Sequence, residues 1–351
     1  MAFQLKAKES LSEGIRRNVH RQIEKALEHL GAERQPHARG ASEGEPDAKD
    51  VRKCFKRVRA ALRLVREDLG DETYRDENFC FRDAGRLLRE IRDAQVLVEA
   101  VEKLTAQSTA SAEAEAWAKI HAILLANRRD VARRVLDEGA PAAVEDMANE
   151  ALARIPGWRI EHDGWAAMER GLRRVYRAGQ RALALATENP SMQNLHEWRK
   201  QSRHLRGQLQ LLEPAWSEAE KGLGEHAQKV TQLLGADHDL AILRETLADD
   251  PVAYGGHRVL KGLFAVIDRR RAELERQAFD VGATLYKDPA KVFTSRIETY
   301  WKTWTGQAET PKPPTTDRQA QGGKVRPRGH PTRTAPVRDG AGPSRRAAGR
   351  K

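Results

Sequence analysis

Four stretches of this 351-residue chain recur, in the same order, in its second half. GIRRNVH at Gly14–His20 returns as GLRRVYR at Gly171–Arg177, and VRKCFKRVR at Val51–Arg59 returns as WRKQSRHLR at Trp198–Arg206. REIRDAQVL at Arg89–Leu97 returns as GADHDLAIL at Gly235–Leu243, and NRRDVARR at Asn127–Arg134 as RRRAELER at Arg269–Arg276. The offset shrinks from 157 to 142 along the series, and the largest change falls where the 31–46 stretch faces the turn at Asn189–Pro190. An ordered series of this kind means a duplicated unit. Helix-period patterns give four helices per copy: 9–30, 47–68, 75–104 and 111–137, then 163–187, 191–212, 216–247 and 254–284. A shorter helix is expected at 142–154, between the halves, and another at 289–303. Gly, Pro and polar residues mark the breaks. The expected fold is all-α: two four-helix bundles around Leu/Ala/Val stripes, related by an internal pseudo-twofold axis. Repeat one runs from about 5 to 137 and repeat two from about 163 to 305.

Composition agrees with helices. Aromatics are only 5% of the chain, and almost no segment alternates apolar with polar, which excludes sandwiches, barrels and Rossmann sheets. No apolar run approaches the ~18 residues of a membrane span. The opening MAFQLKAKES has no hydrophobic stretch, so no secretory signal is expected. Two cysteines, Cys54 and Cys80, cannot make a disulfide framework, and a reducing cytoplasm fits them.

The charge is unevenly placed. Of the net +11, the stretch from Thr310 to Lys351 carries +9, leaving +2 for the rest. That stretch also holds seven of the fifteen prolines and almost no large apolar residue, so residues 310–351 read as a disordered basic tail. Such a tail attracts any polyanion loosely, nucleic acid included, and specifies none. If the folded part binds a polyanion, its cations must be gathered on one surface.

The repeats supply that gathering. At 100° per residue Lys49, Arg52, Lys53, Lys56, Arg59 and Arg63 fall within one arc of about 120°, and His196, Arg199, Lys200, Arg203 and Arg206 do the same in the second copy. Like charges one turn apart repel by roughly 0.2–0.5 kcal/mol per pair, so each stripe needs an anion or acidic neighbours to offset it. The first helices add Arg16, Arg17 and Arg21, or Arg173, Arg174, Arg177 and Arg181, and the fourth add Arg128 or Arg270. Arg forks onto phosphate oxygens and Lys is a mobile point charge, a mixture suited to a flexible phosphate chain. Trp198 and Tyr176 are expected to pack inward, which leaves no platform for stacked bases. The ligand read from these residues is phosphate without bases.

Other readings stay open. The stripes could be solvated or paired with carboxylates inside the fold. The chain could bind nucleic acid through phosphate contacts, or serve as a granule-surface scaffold attached by its tail. His162–Asp163 and His238–Asp239 admit a metal-dependent phosphohydrolase, although adjacent helix residues do not share a face. No phosphate-binding G-x-x-x-x-G-K-[ST] loop and no zinc-type Cys/His spacing occurs, so no cofactor or metal is expected.

The run HEWRKQSRHLR at His196–Arg206, followed by Gly235, Asp239, Ile242 and Leu243, resembles the H-x-x-R-K/V-x-x-R/K-x-x-R and G-x-x-x-D-x-x-V/I-L segments of CHAD domains, the conserved-histidine α-helical family. The resemblance extends over most of residues 1–309, including FQLKAKESLSEGIRR at the start. It implies two helical bundles with a basic groove or pore between them, and non-catalytic binding of inorganic polyphosphate along the two stripes. Lys49 stands at the histidine position of the first copy and Arg89 at its glycine position. Asp93 and Asp239, each following a basic residue, are expected to support neighbouring arginines or to form ordinary ion pairs. The implied partners are polyphosphate, a polyphosphate or polyhydroxyalkanoate granule surface, and polyphosphate-metabolising enzymes, in the cytoplasm. Nothing in the chain resembles the CYTH triphosphatase domain that accompanies some members.

Overall fold

Val51, Phe55, Val58 and Leu62 recur three or four residues apart and are all buried, and this stripe seats the second helix at the centre of the molecule. The computed structural model describes residues 2–31, 47–106, 111–216 and 221–307; the expected tail at 310–351 and most of the 31–46 loop lie outside them. Among the described residues there are twelve α-helices and no strand. In the first half they are α1 (Leu11–Gly31), α2 (Ala48–Leu64), α3 (Arg66–Leu69), α4 (Asp71–Leu87), α5 (Arg89–Thr105), α6 (Ser111–Asp137) and α7 (Ala140–Arg154). The second half follows with α8 (Trp165–Glu188), α9 (Met192–Leu212), α10 (Lys221–Asp249), α11 (His257–Leu285) and α12 (Ala290–Trp304).

Local chemistry sets several ends. Asp47 caps α2 by accepting from the Asp50 N–H at 3.1 Å, and Ser191 caps α9 from Asn194 at 3.3 Å. The helix expected over 47–68 breaks at Val65, at φ −106° and ψ 20°, into α2 and the single turn of α3, which Gly70 closes at φ 85°. The helix expected over 75–104 is two helices, broken at Leu88, whose backbone sits at φ −98°, ψ 15°. Buried Phe81, Ala84, Leu88 and Ile91 keep a three-to-four spacing across the break, so periodicity alone reads one helix. Its counterpart in the repeat, α10, runs unbroken.

Within the halves α1 lies on α2, α5 on α6, α8 on α9, and α10 on both α9 and α11. Across the halves α2 meets α9 and α8, and α5 meets α10. The helix expected between the halves, now α7, instead packs on α1 and α4, and α12 packs on α8. One apolar core runs through both halves, with Trp117, Trp198 and Tyr176 fully buried within it. No helix among the described residues is long and apolar enough to cross a membrane.

One close approach sets the crossing of α2 and α9. A Cβ on Gly207 would lie 2.5 Å from the Ala60 Cβ, so only glycine permits this approach. The segment before α1 is also tied to the far half: the Leu5 N–H donates to the Leu211 carbonyl at 2.9 Å and Gln4 donates to Glu213 at 2.8 Å.

Candidate functional site

The α2–α9 crossing holds the inner edges of the two basic stripes against each other, and α4, α5 and α10 wall the space beside them. The result is a cleft of about 400 Å³. Arg52, Lys56 and Arg59 enter it from α2, and His196, Arg199 and Arg203 from α9. Arg82 and Arg86 of α4, Arg89, Arg92 and Asp93 of α5, and His238 and Asp239 of α10 complete its polar lining. Nine Arg and Lys side chains thus face two carboxylates and two imidazoles.

Some of these charges are spoken for. Arg59 donates to the Asn78 side chain at 3.0 Å, Arg52 donates to the Gly85 carbonyl, and Arg89 pairs with Asp93 one turn on at 3.0 Å. Asp83 takes both Arg82 and Arg86. Arg199 reaches Asp239 only at 3.9 Å, both side chains being largely buried. Among the described residues Lys56, Arg92 and Arg203 have no hydrogen-bond or ion-pair partner, and Nη1 of Arg92 is fully buried. A native fold rarely leaves buried donors empty without a reason.

The electrostatics register the crowding. Burial, then the charges of Arg203, Arg52 and Arg199, hold the Lys56 ammonium down to about 6. Burial and Arg199, Arg59 and Arg52 bring Arg203 to about 9, and burial with Arg63 brings Arg59 to about 10. A delocalised guanidinium still stays protonated at neutral pH, so the arginines carry unrelieved repulsion while Lys56 sheds its proton. Burial and Arg199 push His238 to about 3, and the same two causes lower His196. The two rings lie together, centroids 5.1 Å apart, as neutral imidazoles. Burial raises the Asp239 carboxyl against the pull of Arg199 and Arg92.

The other expected site residues lie outside the cleft. Lys49 pairs with Glu99 at 2.9 Å, Lys53 with Asp50 at 3.0 Å, and Lys200 with Glu197. Arg63 turns its Nη1 back to the Arg59 carbonyl at 2.8 Å. Arg206 borders a separate hollow of about 650 Å³ and leans on Gln228, with Glu213 and Glu225 balancing Lys229 there. Arg17 pairs with Glu9, Arg16 donates to the Trp158 carbonyl, and with Arg21 they border a third hollow. Arg173 pairs with Glu169 and Arg174 with Glu67, while Arg177 and Arg181 are exposed on α8. Arg270 pairs with Glu273, and Arg128 lies half-buried on α6. Arg82, Arg86, Arg92 and His238 were not among the expected site residues. Arg82 and Arg86 were signalled by their three-to-four spacing with Arg89 across the α4–α5 break, and Arg92 and His238 by standing at matching positions of the repeat.

His162 is held by Asp68 at 3.0 Å, and Asp163 accepts from the Leu11 and Gly164 N–H groups. Among the described residues the group of three donors close enough to share a cation is His29, Asp47 and Asp50, which includes neither His-Asp pair.

A basic cleft fed by a histidine-led row on α9 and its repeat on α2 is one half of the comparison with known proteins. Residues 21–248 match the CHAD domain, a span that takes in both rows and every wall of the cleft. The chain belongs to the CHAD family. The crystal structure of the CHAD domain from the plant Ricinus communis is similar to it over 89% of this chain and 97% of that one, with a TM-score of 0.52 at 15% identity. That likeness shows a common fold. No curated protein matches. The CHAD match stops at the end of α10, so α11 and α12 pack beyond the matched span.

Proposed function

We propose that this CHAD domain binds inorganic polyphosphate in the cleft between α2 and α9 and does not turn it over. One observation carries the reading: Lys56, Arg92 and Arg203 converge without partners on a space that already holds six other cations. An oligoanion would relieve their repulsion and fill their empty donors at once. The ligand is taken as phosphate without bases because the rings beside the cleft, Phe55 and Phe81, are 2% and 1% exposed and pack on each other. The cleft contacts most of one stripe edge from each copy, so Arg52, Lys56, Arg59, Arg89, Arg92, Arg199 and Arg203 are the proposed binding residues, with His196 as a neutral hydrogen-bonding partner.

We further read the halves, about 5–137 and 163–305, as bundles related by a pseudo-twofold axis. The pairs that meet across the halves, α2 with α9 and α5 with α10, are the pairs matched by the repeat. A further helix covers the first member of each half, α12 on α8 within the second bound and α7 on α1 just past the end of the first. Residues 310–351 then act as an appended basic tail, and the proposed setting is the cytoplasm or a polyphosphate-bearing granule.

The test is retention on immobilised long-chain polyphosphate during a salt titration, with duplex DNA as competitor at equal phosphate concentration. Binding that falls steeply with salt, resists DNA and is lost in Arg199→Glu/Arg203→Glu supports the reading. Displacement by DNA, or undiminished retention of the double variant, overturns it. Phosphate released from polyphosphate with added divalent metal would overturn the absence of turnover.

A further inference from the structure

We propose that Lys56 is an acylation site for small acyl phosphates, which the arginines around it recognise through their phosphate group. This rests on the reading of the cleft as a phosphate site. Lys56 lies one turn from both Arg52 and Arg59 on α2, and lines the same cleft as Arg199 and Arg203 of α9 and Arg92 of α5. It differs from the other lysines near it. Lys49 and Lys53 on its own helix and Lys200 on α9 each pair with a carboxylate. Lys56 has no such partner among the described residues and remains open to the cleft. Burial, and then the charges of Arg203, Arg52 and Arg199, hold it down to about 6 and leave its amine mostly free at neutral pH, the form a nucleophile needs.

An acyl phosphate seated here would place its phosphate among the guanidiniums and its carbonyl carbon near Nζ. The nitrogen lone pair attacks that carbon and an N–C bond forms. The C–O bond to phosphorus breaks, orthophosphate leaves with the bonding pair, and the nitrogen gives one proton to solvent. The arginines that neutralise the leaving phosphate stay in place throughout. The product amide cannot be charged and projects extra atoms into the cleft, so the modified chain would bind polyphosphate poorly. The class of reaction that feeds this site is one that activates a carboxylate with phosphate.

The test treats the full chain at pH 7.5 with acetyl phosphate, and separately with acetic anhydride, and follows each lysine by peptide mass spectrometry. With acetyl phosphate Lys56 should be modified at least about tenfold faster than Lys53, since each pKa unit of depression exposes tenfold more free amine. The preference should be smaller with the anhydride, which has no phosphate, and orthophosphate should suppress it for acetyl phosphate alone. Modification of Lys56 no faster than Lys53, or an equal preference with both reagents, overturns the proposal. Polyphosphate retention of the untreated chain is measured alongside and decides the cleft reading by itself, so the two fail separately.

Discussion

Filling the cleft with polyphosphate should draw about one proton out of solution at pH 8. In the free chain burial, then the charges of Arg203, Arg52, Arg199 and Arg92, hold Lys56 down to about 6; Arg59 on its own helix, Arg82 and Arg86 on α4, Arg89 on α5 and the neutral ring of His196 on α9 face the same cleft. Asp93, Asp239 and His238 are the remaining facing groups. At pH 8 such a lysine is roughly 1% charged. A polyphosphate chain lying along the whole cleft, unlike the single phosphate of an acyl phosphate, sets negative charge against every cationic wall, which outweighs burial and returns Lys56 toward its ordinary value near 10.5, where it is charged. Affinity should then fall about tenfold, or about 1.4 kcal/mol, for each pH unit between 6 and 8, and more steeply above, where Arg203 at about 9 also titrates in the free cleft. The histidines do not blur this count, because His196, His204 and His238 are lowered when free and neutral at pH 8 even if fully restored. Long-chain polyphosphate keeps titrating end groups few. The same depression works on folding in the opposite sense to a salt bridge. The unfolded chain binds the extra proton between pH 6 and 10.5, so this group makes the unliganded fold more stable as pH rises through that window. Calorimetry in two buffers of different ionisation enthalpy reads the uptake directly, and Lys56→Arg should bind with almost none at pH 8 and with a flat profile from pH 7 to 8, below the range where Arg203 titrates. No proton uptake by the native chain, or the same uptake in the variant, refutes the reasoning.

Three further outcomes follow from the geometry. Arg203→Gln should weaken polyphosphate binding and reduce the log–log salt slope by about one, because one phosphate contact is lost; an unchanged slope places the ligand elsewhere. Gly207→Val should destabilise the fold by about 1–3 kcal/mol in denaturant unfolding, since even the first carbon meets Ala60 at 2.5 Å, and a neutral result would mean that α2 and α9 can part. Glu77→Ala should cost about 2 kcal/mol in the same assay. This 3%-exposed carboxylate accepts from Arg154 at 2.8 and 3.1 Å and from the Trp158 indole at 3.3 Å, all of which would lose their acceptor.

The all-helical class was legible because apolar spacing is a local property of a sequence. The α2 and α9 stripes were legible as directions on a helical wheel, yet a wheel does not say what stands opposite. Lys49 and Lys53 point within the arc of Arg52 and Lys56, but Glu99 of α5 and Asp50 claim them. Arg59 and Arg206 are repeat equivalents, and only Arg59 reaches the cleft, because α4 brings Arg82 and Arg86 there while the matching stretch of α10 offers Gln228 and Gln232 beside Arg206. Arg16 and Arg174 read as binding residues until their acceptors, on segments remote in sequence, come into view, and Arg17 is taken by Glu9 just before its own helix. Lys56 looked like one cation among six. Its isolation is a property of the assembled walls and is written in no single helix.

The tie from Gln4 and Leu5 to Glu213 and Leu211 has a consequence for how the chain is made. A ribosome delivers the leading strand some two hundred residues before the structure that receives it. Until the end of α9 emerges, Phe3 and Leu5 have no cover on that side, and the first copy cannot close on its own. Nascent chains arrested before residue 211 should therefore stay protease-sensitive at their first residues, and settle only when the second copy has been threaded into reach.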